Sequence, residues 1–479
     1  MRVLTVLVAT ILASIVAAGS GRAEDSADGR VSRAVLFPEP TEMGPQVAFW
    51  RAIFAEYSKY QVVLHDAVHI DKVYKVLDFR HYLDEGVGES EVERLMRFDT
   101  DLELERIRAT LLRLHALGPH PDALTAEEQR IVDLYADDPS SDRFLAATDS
   151  KRLHSQRGLR ERFAEAVRVS RRYLPEMERI FREEGLPTEL TRLPLIESSF
   201  DLRAYSKCGA AGIWQFIPAT GRRFMRVDSL VDERRDPFAS SRGAALYLRE
   251  VHDMLDTWPL AITAYNHGPE GMARAVREVG TTDIATIIRQ YDGKAFGFAS
   301  RNFYAEFLAA LQVEQDYRTH FGELPLDAPL RFREHRLDRP VSIQAAARFA
   351  GSGPDELVAL NPALSSAIVT GRRPIPTGYR LHLPESGASG FATQLATVPP
   401  EPREAHVVPV VARTSRTRNP PQVHHAVVSH RVRHGQTLTR IAHKHGVTVA
   451  SLRNANRLGK KSVLRPGQRL RIPVAQNAT

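Results

Sequence analysis

The chain has 479 residues, which is more than one ordinary hydrophobic core accommodates and enough for about three domains. Hydrophobic residues make up 43% and charged residues 26%, a balance typical of a globular protein. The net charge of +7 is uneven: from residue 401 onward there are 15 Lys and Arg against 2 Asp and Glu, which leaves −6 for the first 400 residues. A single cysteine, Cys208, excludes an internal disulfide.

Residues 1–23 have the pattern of a secretory signal peptide. Arg2 precedes an uncharged apolar run from Val3 to Ala18, and small residues lead to Ala23. The run is shorter than the roughly 20 apolar residues of a membrane span, which favours cleavage over the alternative of a retained anchor. No cysteine follows the cleavage point directly, so lipidation is not expected. We therefore expect a periplasmic protein.

The next segments are predicted to be helical. Residues 24–150 form an N-terminal helical region, because apolar side chains recur at i, i+3/i+4 and i+7 from about residue 44 onward. One long helix is predicted from about Leu159 to Glu184, ended by Gly185 and Pro187. Further helices fit residues 238–255, 258–265, 269–279 and 300–317.

Three motifs follow one another within the length of a small domain. Glu197 lies in Leu-Pro-Leu-Ile-Glu-Ser-Ser-Phe at 193–200, a glycine-rich block with Gly-Ile-Trp-Gln spans 209–221, and Ala-Tyr-Asn-His-Gly spans 264–268. This ordered trio resembles the soluble lytic transglycosylase (goose-lysozyme-like) family. The resemblance implies a mainly α chain with a lysozyme-like catalytic domain at 151–320.

The chemistry available to Glu197 follows from its apolar neighbours. A glycosidic bond breaks when its oxygen is protonated, so the acid must stay protonated near neutral pH. Desolvation achieves this by disfavouring the carboxylate, and Trp214 and Phe216 could complete an apolar wall. In lysozyme, a glutamate in a hydrophobic pocket is kept protonated in the same way. The alternative is an exposed glutamate at a helix end.

Ordinary glycosidases need a second carboxylate, and Asp201 is the nearest, although capping the next turn is its expected role. In the resembled family one glutamate acts first as acid and then as base. The substrate N-acetyl group stabilises the positive centre, and the muramic C6 hydroxyl attacks C1 to leave 1,6-anhydro-N-acetylmuramic acid. The product implies a lyase acting on the MurNAc-β-1,4-GlcNAc bond of peptidoglycan. A hydrolase of the same fold and an inactive wall-binding protein stay open as alternatives.

The resemblance also implies substrate contacts near the acid. The family has an Arg-x-Tyr near the end of the domain, and a gap-free match places Phe303 at the tyrosine, so Tyr304 is the candidate after a one-residue shift. For the Tyr-Asn pair, core packing and self-capping are the alternative. The expected substrate-binding residues are Ser198, Gln215, Tyr265, Asn266 and Tyr304.

The C-terminal part contains two small modules. Residues 430–473 resemble a LysM module, a βααβ carbohydrate binder, with eleven basic residues and no acid. Residues 330–384 resemble a degenerate LysM that keeps an Asn-Pro-Ala-Leu block, and residues 385–429 are predicted to be a linker. The expected LysM sugar-binding residues are Gly435, Gln436, Thr437, Leu438, Pro466 and Gly467.

Partners and cofactors follow from the same observations. The sequence contains no metal-ligand spacing and no phosphate-binding glycine loop, so neither a metal nor a cofactor is expected. The basic tail favours attraction to anionic wall components or the outer membrane, and the export signal argues against nucleic acid. We expect a monomer that acts on peptidoglycan glycan strands.

Overall fold

The computed structural model describes residues 33–118, 124–397, 427–432, 436–445, 447, 449–456, 458–459, 464 and 467–473. The predicted signal peptide and most of the predicted linker lie outside these residues. The chain divides into two compact units, Met1–Glu401 and Pro402–Thr479. Among the described helices, none has the length and apolar character needed to span a bilayer.

The N-terminal region combines helices with a small antiparallel sheet. The strands Val73–Asp78, Gln61–Asp66 and Leu153–Arg157 lie side by side in that order. The prediction of helices alone is wrong here, because the β-branched runs Gln-Val-Val-Leu and Val-Tyr-Lys-Val favour strands. Around the sheet are the helices Arg33–Leu36, Thr41–Met43, Gly44–Ala55, Arg80–Asp84, Glu89–Leu117, Ala126–Leu134 and Arg143–Ala147.

The predicted long helix from Leu159 to Glu184 is two helices. Arg160–Ser170 ends before Leu174–Glu183 begins. Pro175 lies in the first turn of the second helix, where its missing N–H is tolerated, whereas a continuous helix would place its ring against the carbonyl of residue 171.

The helix Phe298–Gln315 of the predicted catalytic domain is buried along most of its length. Helix Phe298–Gln315 packs against Gly44–Ala55 and Trp258–His267, so the first part of the N-terminal region shares a hydrophobic core with the catalytic domain. The other helices are Thr188–Arg192, Leu193–Glu197, Pro218–Phe224, Glu233–Arg235, Pro237–Leu255, Pro269–Val279, Ile284–Gln290 and Tyr317–Phe321.

A third element of the first unit, which we call the 333–395 module, has its own core. Its strands Arg333–Arg336 and Arg380–Leu383 pair antiparallel. Phe391 and Leu395 are buried in this core, so the linker predicted from residue 385 begins later than expected. Between and after the strands lie the helices Ile343–Phe349, Pro354–Leu360, Ser366–Val369, Glu385–Gly387 and Ala388–Leu395.

The second unit has a βααβ order. Strand Val427–Arg431 pairs antiparallel with Arg469–Pro473, and the helices Leu438–Lys444 and Val449–Ala455 lie between them in the chain.

In each of the two small modules, an asparagine side chain is hydrogen-bonded to both the second helix and the last strand. The Asn456 side-chain nitrogen donates to the carbonyl four residues earlier and to the Arg471 carbonyl, while its oxygen accepts from the Arg471 amide at 2.7 Å. Asn361 makes the same three bonds, with His382 in place of Arg471. This shared geometry supports a LysM-like fold for the 333–395 module.

Candidate active site

Glu197 is the last residue of the short helix Leu193–Glu197. Directly after it the backbone of Ser199 and Phe200 is left-handed, with φ of 56° and 57°. Phe200 is a bulky residue that seldom adopts this conformation. Its ring is buried, and its backbone amide donates a hydrogen bond of 3.1 Å to the Pro194 carbonyl, so both contacts hold it there. The chain therefore turns back sharply at the predicted acid.

The surroundings of Glu197 are apolar and aromatic. Burial raises the pKa of the Glu197 carboxyl to about 8, although part of the side chain stays exposed. Phe216, Tyr247 and Tyr265 form an aromatic cluster with ring centroids 5.5 to 6.0 Å apart. The pKa of the Tyr265 hydroxyl is raised well above its usual value, first by burial and then by the negative charge of Glu197. The carboxyl is thus mostly a neutral acid at pH 7.

The structure brings the three sequence motifs together. The Ser198 hydroxyl donates to the Ile213 carbonyl at 2.9 Å. The Tyr265 hydroxyl donates to the Trp214 carbonyl at 2.8 Å. Ser198 and Tyr265 therefore both hold the 209–216 loop, through the adjacent carbonyls of Ile213 and Trp214.

Within the 209–216 loop, Gln215 has a left-handed backbone with φ of 49°, and its side chain donates to the Gly212 carbonyl at 2.8 Å. Gly212 has a positive φ as well, and a Cβ there would meet the Arg234 carbonyl at 1.9 Å, so only glycine fits. Asn266 is exposed and accepts from the Ser300 hydroxyl at 2.8 Å. Gln215 and Asn266 thus remain partly accessible beside the acid.

One predicted role does not agree with the structure. Tyr304 is fully buried and its hydroxyl donates to the Pro38 carbonyl at 2.7 Å, so it is not available to a substrate. The Trp214 indole is also fully buried and donates to the Ser241 hydroxyl, which makes it part of the core. Asp201 is exposed and accepts from the Arg203 amide, as expected of a turn residue.

A second carboxylate faces Glu197, and it was not among the residues predicted from the sequence. Glu306 lies on helix Phe298–Gln315, which packs on Leu193–Glu197. Two turns further on, Glu314 approaches Arg192 at 3.6 Å, which fixes the register of the two segments. Burial, and then the charge of Glu197, raise the pKa of the Glu306 carboxyl to about 8. The signal in the sequence is an acid placed between apolar residues in the middle of this helix.

In the second unit, the structure describes four of the six predicted sugar-binding residues. The Gln436 side-chain oxygen lies 3.0 Å from the His430 Nε2, and Leu438 is buried in the core. Thr437 and Gly467 are exposed, and Gly467 has a φ of 89°. Gly435 and Pro466 lie outside the described residues. Among the residues described in either unit, no group of three or more His, Cys, Asp or Glu is arranged to hold a metal ion.

Two known families match this chain. The family described as Transglycosylase SLT domain matches residues 178–288, which include Glu197 and both partner motifs. The LysM domain family matches residues 430–473. The chain carries an SLT transglycosylase domain and a LysM domain. The resemblance inferred from the three motifs and the C-terminal module is thereby confirmed.

Individual relatives give a consistent picture. The chain is 29% identical over 304 residues to membrane-bound lytic murein transglycosylase D from Escherichia coli K12, covering 62% of each protein. The same values hold for the protein of that name from Escherichia coli O6:H1. An inactive mutant of lytic transglycosylase Slt from Pseudomonas aeruginosa aligns at 20% identity over 50% of this chain and 37% of that chain, with a TM-score of 0.27, too low to carry an argument.

The raised pKa of Glu306 lets us predict how the stability of the folded protein depends on pH. The folded pKa of Glu306, about 8, lies above its ordinary value of 4.5, so the folded state binds the extra proton between these values and loses stability as pH rises through them. Glu306→Gln is therefore expected to raise the melting temperature at pH 9 by roughly 2–4 °C or more, and to change it little at pH 4. Scanning calorimetry at both pH values measures this, and an equal effect at both would contradict it.

Proposed function

We propose that this protein is a lytic transglycosylase that cleaves the MurNAc-β-1,4-GlcNAc bond of peptidoglycan. The observation that carries the proposal is a half-buried, neutral Glu197 carboxyl whose neighbours Ser198 and Tyr265 are hydrogen-bonded to the 209–216 loop. The chain spans 62% of the length of the curated relatives that it matches, so their activity supports the proposal without establishing it.

Glu197 acts in two steps. As acid, it gives its proton to the bridging oxygen while the C1–O bond breaks, and the substrate N-acetyl group stabilises the positive charge at C1. As base, the resulting carboxylate takes the proton of the C6 hydroxyl while O6 bonds to C1. The proton returns to Glu197, no water is consumed, and the product carries a 1,6-anhydro end.

The partner residues divide into two groups. Ser198 and Tyr265 act by positioning the 209–216 loop, since their hydroxyl protons are donated to its carbonyls. Gln215 is half-buried and Asn266 is exposed, and they are the candidates for direct contact with the sugar N-acetyl and hydroxyl groups.

Replacement of the acid gives the first test. Glu197→Gln is expected to lower release of muropeptides from sacculi by at least about 10²-fold, because an amide keeps the shape but supplies no proton. Asp201→Asn is the matched control four residues away, and its activity should stay within about twofold of wild type. Turnover of Glu197→Gln near the wild-type rate would contradict the assignment, and inactivity of the wild type would favour a wall-binding protein.

The hydrolase alternative is supported by one specific observation, the presence of Glu306 near Glu197. A two-carboxylate mechanism needs such a partner acid. That partner has to be ionised to activate water or to act as the nucleophile. With a pKa of about 8, only about one tenth of Glu306 is ionised at pH 7. A neutral second acid fits the one-glutamate lytic mechanism better.

The two mechanisms differ in what Glu306→Gln does. The lytic mechanism predicts activity within roughly threefold of wild type at pH 6.5, since an amide replaces a neutral acid of the same shape. The alkaline limb of the pH–rate profile should stay near that of the wild type, because burial, the cause of the raised pKa of Glu197, is unchanged in this variant. A loss of about 10²-fold in a folded variant would instead favour the hydrolase.

The LysM domain is proposed to tether the exported enzyme to the cell wall. Eleven Lys and Arg and no acid between residues 430 and 473 add attraction to anionic wall components. Tethering raises the effective concentration of the catalytic domain at its insoluble substrate and leaves the chemistry unchanged.

Deletion of residues 430–479 tests this division of labour. Binding to sacculi should fall, because the anchor is lost. It should also become less sensitive to salt, because the deletion removes the basic residues whose attraction salt screens. Cleavage of short soluble glycans should stay within about twofold of the full chain. Equal binding of both forms at low salt would rule out the LysM domain as the anchor, and loss of soluble activity would show that it helps to build the active site.

A further inference from the structure

One contact between the 333–395 module and the catalytic domain is made by a single loop of that domain. Val231 belongs to this loop, yet its side chain is fully buried within the hydrophobic core of the module. The backbone around it pairs with the module as well: the Asp232 amide donates to the Ala363 carbonyl and the Ser365 amide to the Leu230 carbonyl, both at 2.9 Å. The loop is therefore anchored in the module.

Three residues after the anchor, Arg234 reaches the 209–216 loop. Its guanidinium donates to the Gly209 carbonyl at 2.7 Å and to the Phe216 carbonyl at 3.0 Å, and thus spans both ends of that loop. Asp232 holds the guanidinium in place with two bonds of 2.7 and 2.8 Å. Arg234 is buried, so these bonds are shielded from water.

A second contact fixes the same part of the catalytic domain. Glu334 and His382, on the two strands of the module, meet Arg242 at 3.0 Å and Asp236 at 3.5 Å respectively. Asp236 caps helix Pro237–Leu255, accepting from the Phe238 and Ala239 amides. Because Ser241 of this helix accepts the Trp214 indole N–H, this contact also leads to the 209–216 loop.

We propose that the 333–395 module is a structural part of the catalytic site that sets the position of the 209–216 loop, with Val231 as its anchor and Arg234 as the positioning residue. The Asn-Pro-Ala-Leu block of the module holds the catalytic-domain loop, because its Ala363 carbonyl accepts the Asp232 amide. The consequence for turnover rests on the proposed function, whereas the structural coupling does not.

A matched pair of valine variants in the full chain tests the proposal. Val231→Ala and Val341→Ala remove the same atoms from the same core, but only Val231 belongs to the catalytic-domain loop. Both should lower the melting temperature of the module to a similar extent. Hydrogen exchange of the amides at 209–216, measured by mass spectrometry, should rise at least about fivefold in Val231→Ala and stay near wild type in Val341→Ala.

Activity on short soluble glycans gives the second readout. Val231→Ala should lower kcat/KM by at least about fivefold, since small misplacements of a substrate loop are costly, and Val341→Ala should leave it within about twofold of wild type. Equal loop exchange in the two variants would overturn the proposal, because the module would then act through its stability alone. An inactive wild type with the predicted exchange pattern would contradict the proposed function and leave the coupling intact.

Discussion

The removal of the Glu197 carboxyl from water is the constraint on which the site depends. A pKa near 8 in place of 4.5 means that ionising this group in the folded protein costs on the order of 5 kcal/mol more than in water. The aromatic cluster beside it, the sharp turn after it and the hydrogen-bonded loop across from it all contribute to this environment. The same apolar packing that stabilises the core thus keeps a proton available for transfer.

This arrangement lowers stability locally, and the rest of the fold compensates. Two carboxyls are buried close together, and Ser199, Phe200 and Gln215 hold left-handed backbone conformations. Such a turn persists only where its surroundings determine it. Ser198 and Tyr265 hold the 209–216 loop from the acid side, and Arg234 holds it from the side of the 333–395 module. A loop fixed at both sides needs little reorganisation when charge develops in the substrate.

Local patterns were sufficient for much of the fold. The helices Pro237–Leu255 and Pro269–Val279 lie within a residue or so of their predicted bounds, because capping residues and prolines mark their ends. The N-terminal strands were missed because short β-branched runs within helical patterns are ambiguous. Pro175 encodes the break before Leu174. The prediction of one long helix followed the apolar periodicity and gave this proline too little weight.

Residues whose roles depend on distant contacts could not be predicted. Glu306 is separated from Glu197 by more than a hundred residues in sequence, and only the packing of their helices brings the two acids together. Tyr304 was assigned by a one-residue shift in a motif, but the packing of this helix buries both Phe303 and Tyr304. Val231 resembles any loop valine in the sequence, and its place in another module's core emerges only from the tertiary structure.

The central claim is that a neutral Glu197 directs the C6 hydroxyl, and not water, to C1. Digestion of sacculi in water enriched in oxygen-18, followed by mass spectrometry of the released muropeptides, tests this most directly. We expect 1,6-anhydro ends that are lighter than reducing ends by one water and carry no heavy oxygen from the solvent. Reducing muramic ends that contain one solvent oxygen would contradict the claim and identify a hydrolase.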